Sequence, residues 1–115
     1  MKNLLFVLFF LPLLAIGQGW TQIGSDIDGE AIDDRSGHSV AINTDGTIVA
    51  IGALSNDQNG VNSGHVRIYQ YILGVWTQLG QDIDGATASD GSGSSIALSD
   101  DGMILAIGSP YNSCF

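Results

Sequence analysis

Two Asp-Ile-Asp-Gly phrases, Asp26-Ile27-Asp28-Gly29 and Asp82-Ile83-Asp84-Gly85, are the densest candidates for chemistry in the chain. Each sets two carboxylates one residue apart beside a flexible glycine, a spacing that can aim both at one hard cation such as Ca²⁺. Calcium takes about six to eight oxygens, so either pair would need further ligands. The same residues also suit a repeated turn, in which Asp accepts backbone hydrogen bonds and Gly takes an unusual φ. In an extended stretch, Ile27 and Ile83 would instead be buried with the flanking carboxylates outward. Asp26, Asp28, Asp82 and Asp84 are therefore metal candidates with a turn role competing.

Other polar runs carry less. Asn56-Asp57-Gln58-Asn59-Gly60 has oxygen side chains at alternating positions but lacks the bidentate acid of an EF-hand loop, and reads as a solvated loop. His38 and His65 are the two histidines; Ser39 adjoins the first, but no Gly-x-Ser-x-Gly elbow and no metal-binding His pair is present. Acids abundant at turns do not define the spaced pair of a glycosidase. The expectation is a non-enzyme with no catalytic residue and no cofactor beyond a Ca²⁺ option.

The elements that must position these residues are written twice. Trp20-Thr-Gln-Ile-Gly-Ser-Asp-Ile-Asp-Gly returns 56 residues later as Trp76-Thr-Gln-Leu-Gly-Gln-Asp-Ile-Asp-Gly. Asp45-Gly-Thr-Ile-Val-Ala-Ile-Gly likewise returns as Asp101-Gly-Met-Ile-Leu-Ala-Ile-Gly, and about half of the aligned positions are identical. Within a repeat the pattern is strands and turns. Ser39–Ile42 and Thr47–Ile51 are short β-branched runs around the tight turn Asn43-Thr44-Asp45-Gly46. His65–Tyr71 alternates Val66 and Ile68 with Arg67 and Tyr69, and Leu73-Gly74 turns the chain into a fourth strand from Val75.

Four antiparallel strands followed by an acidic loop and the same pattern again predict an all-β fold of propeller-type blades. A β-solenoid is the runner-up, although its coils usually repeat over shorter periods. Residues 37–80 would form one complete blade, and residues 81–115 an acidic loop and the inner half of a second. Residues 18–36 would hold an outer latch strand at Trp20–Ile23 and an acidic loop. About 1.75 repeats cannot close a ring, which needs several blades, so the chain reads as a truncated fragment with exposed blade faces open to self-association.

Order and recurrence of these phrases carry a resemblance. Asp34-Arg-Ser-Gly-His-Ser-Val-Ala-Ile, Ile48-Val-Ala-Ile-Gly-Ala and Gly64-His-Val-Arg-Ile-Tyr resemble the FG-GAP repeat of integrin α-chain propellers and of many exported bacterial proteins. Ser36-Gly37 stands where that family has Phe-Gly, and Gly52-Ala53-Leu54 where it has Gly-Ala-Pro. The resemblance implies a β-propeller in adhesion or surface protein and glycan contact, or a calcium-stabilised structural module; a non-functional remnant is the third option. The family's calcium loops lie between the inner strands, where Asn43–Gly46 and Ser99–Gly102 are too short to wrap an ion.

The N-terminus predicts export. Lys2 precedes an apolar run from Leu4 to Leu14, and Ala15-Ile16-Gly17 supplies small residues for a signal-peptidase cut between Gly17 and Gln18. A membrane-spanning anchor is the alternative, but a span needs about 20 apolar residues and this run is shorter and contains Pro12. The product would be secreted or surface-bound, with no membrane insertion once the signal is cut. A formal charge of −9 repels phosphate backbones, so nucleic acid is not an expected partner. Cys114 is the single cysteine, which leaves no intrachain disulfide.

Overall fold

The computed structural model describes residues 19–112; the signal segment, its Gly17–Gln18 cut and Cys114 lie outside the described residues. Seven strands follow in order: β1 (Ser36–Ile42), β2 (Ile48–Ala53), β3 (His65–Ile72), β4 (Val75–Gln78), β5 (Ile83–Asp84), β6 (Ser95–Leu98) and β7 (Leu105–Gly108). No helix occurs among the described residues, and none there is long and apolar enough to cross a membrane. The first four strands form an antiparallel sheet in the order β1-β2-β3-β4, and β5 continues past the end of β4 to pair with β3. β6 and β7 form a separate hairpin. The sheets do not close, and the expected all-β, antiparallel, unclosed fold is what the described residues form.

Short connections set this order. At the β1–β2 turn, Asn43 Oδ1 accepts from Thr47 N and Ile48 N, Asp45 Oδ1 accepts from Thr47 N, and Gly46 sits at φ 76°. The β6–β7 turn repeats the device with a shorter side chain: Ser99 Oγ accepts from Ile104 N, Asp101 Oδ1 from Met103 N, and Gly102 is again at φ 76°. These turn bonds hold the Asp45 and Asp101 carboxyls below the ordinary carboxylate range, with the Thr47 hydroxyl the main donor to Asp45 and the Met103 amide to Asp101. Leu73 and Gly74 both take positive φ, as a two-residue type I′ hairpin requires.

The core is small and lies between the blade and the second hairpin. Ile48, Ala50, Ala53 and Val66 are buried, and β6 packs on β1 and β2. Alternation puts Ile48, Ala50 and Gly52 on one face of β2, level with Gln70, Ile68 and Val66 of β3. Small residues there let backbones approach. A Cβ on Gly52 would strike the Gly93 carbonyl oxygen, the same atom that accepts from Ser39 Oγ at 2.6 Å. Gly64, at φ 77°, forms a parallel bridge with Ser92.

Trp20–Ile23, expected as an outer strand, joins no ladder: Trp20 is fully exposed, and the segment is tied down where Trp76 Nε1 donates to the Ile23 carbonyl at 3.0 Å. The physical reason is edge availability. Along β3 the outer edge is already occupied, by β4 and then by β5, so the earlier copy of the phrase has no third strand to pair with.

Candidate functional site

The repeated Trp-x-Gln-x-Gly-x-Asp phrase folds into the same turn twice. Gly24 and Gly80 sit at φ 72° and 71°, and the bend brings the glutamine amide onto the aspartate four residues on. Gln22 Nε2 donates to Asp26 Oδ1 at 2.9 Å, and Gln78 Nε2 donates to Asp82 Oδ1 at 2.8 Å. The first carboxylate of each acidic phrase is thus positioned by its own turn.

Beyond that the two copies diverge. Asp26 and Asp28 are exposed and border an open pocket of about 230 Å³ beside Tyr69 and Trp76. Asp82 is drawn inward, where Arg67 Nε donates to Oδ1 and Nη2 to Oδ2, both at 2.7 Å. Those bonds hold Asp82 at about 2, and raise Arg67 in turn. Ile83, which an extended reading would bury, is 39% exposed. The inward partner is Arg67, so in this copy the carboxylate faces in and the isoleucine faces out.

Period two along β3 builds the rest. His65 and Arg67 share one face, and the first acidic loop crosses it, bringing Glu30 Oε2 to 2.9 Å from Arg67 Nη2. β5 sets Asp84 opposite His65. His65 is 3% exposed, and its Nδ1 has no hydrogen-bond partner. Around that nitrogen stand Asp82 Oδ2 at 3.7 Å, Glu30 Oε2 at 3.8 Å and Asp84 Oδ1 at 3.9 Å. Of the four sequence candidates, Asp82 and Asp84 therefore meet, while Asp26 and Asp28 stand outside the cluster. Glu30, His65 and Arg67 escaped motif reading; the usable signal was the alternation of His65, Arg67 and Tyr69 on one strand face.

The other polar runs have structural work. Asn56 Nδ2 donates to Asp34 Oδ2, Asp57 Oδ1 accepts from Asn62 N, and Asn59 Nδ2 donates to the Gly85 carbonyl at 2.7 Å. The Asn56–Gly60 loop is thereby a clamp between the blade and the second acidic loop. His38 is exposed, and the adjacent Ser39 hydroxyl is committed to Gly93.

A four-stranded antiparallel sheet packed through a glycine-lined seam on the start of a second, similarly patterned unit is the arrangement of a β-propeller repeat module. Residues 20–69 match the family model of the FG-GAP repeat, so this stretch of the chain carries an FG-GAP repeat. No curated protein and no solved structure matches it.

Proposed function

We propose that this is an exported, non-enzymatic β-propeller repeat module that serves adhesion or surface contact with a protein or glycan. The FG-GAP match over residues 20–69 carries the reading, because the repeat is a scaffold whose activity is placed on loops and faces. Three features support it. The turn acids Asp45, Asp90 and Asp101 accept hydrogen bonds from neighbouring backbone and hydroxyl groups, as structural acids do. Apolar side chains are exposed on β1 (Val40 63%, Ile42 59%) and in the β6–β7 turn (Met103 73%, Ile104 70%), surfaces suited to another blade, a second copy or a partner protein. The leader-like N-terminus supports delivery to the outside.

Expression of the full chain with its leader, followed by fractionation and binding to arrayed glycans and surface-protein extracts, tests both halves. The expected result is processed protein outside the cytoplasm with saturable binding to one surface class. Retention in the cytoplasm, or hydrolase turnover without binding, would overturn the proposal.

A further inference from the structure

We propose that Glu30, His65 and Asp82 form a binding site for a borderline divalent cation of the Zn²⁺ type, with Asp84 as a fourth donor. The argument begins with the imidazole. His65 Nδ1 is buried, its side chain 4% exposed, and it has no hydrogen-bond partner. A buried polar nitrogen left in that state is costly, and native folds rarely keep one without a ligand, ion or water to fill it.

Its surroundings supply the other donors. The three carboxylate oxygens at 3.7 to 3.9 Å are too distant to hydrogen-bond Nδ1 directly. Two ligands each about 2.1 Å from one ion stand at most about 4.2 Å apart, so an ion placed between Nδ1 and any one of these oxygens reaches both. The donor atoms of Glu30, His65 and Asp82 all lie within 4.8 Å of one another, a span that small side-chain rotations close.

Charge and donor type choose the occupant. Glu30, Asp82 and Asp84 against Arg67 leave two more carboxylates than cationic side chains around the imidazole, a surplus that a divalent ion balances. Arg67 does not exhaust the oxygens it touches, because each carboxylate offers about four lone-pair sites. An imidazole in the set turns the preference away from Ca²⁺ and Mg²⁺, which take oxygen ligands, toward zinc and its neighbours. The ligands come from the first acidic loop, β3 and the second acidic loop, so the ion would fasten both loops to the blade.

The test uses the full chain carrying Cys114→Ser, which removes the only thiol. Titration with ZnCl₂ by calorimetry is expected to show one site, and zinc at about 100 times its Kd should raise Tm by on the order of 10 °C. CaCl₂ at the same concentration should leave Tm unchanged. His65→Asn should weaken zinc binding at least about tenfold, and Glu30→Gln, at an exposed position, should do the same. Absence of zinc heat and of a Tm shift overturns the site, as does binding that survives in Glu30→Gln and in a folded His65→Asn; an equal shift with calcium overturns the choice of ion.

Discussion

Asn56 Nδ2 donates to Asp34 Oδ2 at 2.8 Å, joining two buried polar side chains 22 residues apart. The second repeat makes the same bond from Asn112 to Asp90 at 3.0 Å, again across 22 residues. The surrounding backbone repeats too: Ser55 N donates to Asp34 O and Tyr111 N to Asp90 O, while Asp33 and Ser89 take φ 69° and 68°. Identical conformations at positions of different residue type show that the repeat is a property of backbone geometry, with the Asp–Asn pair as its fastening.

Asn56→Ala is therefore expected to destabilise the fold by about 2 kcal/mol, because the Asp34 carboxylate stays buried and loses a donor. Asn112→Ala should cost less than about 1 kcal/mol, since Asn112 is exposed and Asp90 keeps the Thr87 amide and hydroxyl. Urea denaturation of the two variants checks the ranking. Both acids are buried, so equal losses would show that the Thr87 donors Asp90 retains do not set the difference.

The Arg67–Asp82 pair predicts an acid limb of stability. Asp82 titrates at about 2 in the fold against an ordinary value of 3.8, so its stabilising contribution is complete above 3.8 and is lost as pH falls toward 2. In that window the unfolded chain takes up the proton first, which favours unfolding. Asp45, Asp90 and Asp101 shift in the same direction, so the measurement is the difference between the parent chain and Asp82→Asn. That difference should be constant above about pH 5 and shrink below about pH 4. A difference that is flat across this range would show that the pair is too well screened to matter.

Most of the fold was legible in the chain because strand pattern and turn chemistry are local. Val66 and Ile68 alternating with Arg67 and Tyr69 fixed β3, and the Asn43–Gly46 turn fixed the first hairpin. Trp20–Ile23 was not legible in this way. It carries nearly the residues of Trp76–Leu79, yet only the later copy has a strand edge to pair with, and strand formation depends on that partner. The cluster around His65 was hidden for a related reason. Glu30, His65 and Asp82 are distant in sequence and meet only once β3 pairs with β5 and the first acidic loop crosses the sheet.

Leu73 marks a place where local chemistry works against the fold. It is 99% exposed at φ 49°, with Gly74 at φ 86°, and a leucine has neither a steric nor a hydrogen-bonding reason to take the left-handed region. Asn-Gly is the preferred pair in this turn. Leu73→Asn is expected to stabilise the chain by about 0.5 to 1 kcal/mol, read as a higher urea midpoint with an unchanged slope. A lower midpoint would mean that Leu73 makes an apolar contact that its exposure does not suggest.

Gly52 controls whether the second hairpin docks. The Gly93 carbonyl oxygen approaches it so closely that a methyl group would overlap both that backbone oxygen and Ser39 Oγ, and the hydroxyl can turn away only by giving up its bond to Gly93. Gly52→Ala should therefore separate β6–β7 from β1 and β2 at a cost of about 1 to 3 kcal/mol, the usual range for overfilling a packed site. The loss should be uneven. Ladder bonds between β3 and β4 do not cross the seam, while β6 and β7 have little besides the blade to pack on. Hydrogen exchange reads this directly: amides of Ser95–Leu98 and Leu105–Gly108 should lose protection while those of the β3–β4 pair keep it. A uniform loss across both sheets would show instead that blade and hairpin unfold as one unit, and that the Gly52–Gly93 contact holds the entire module together.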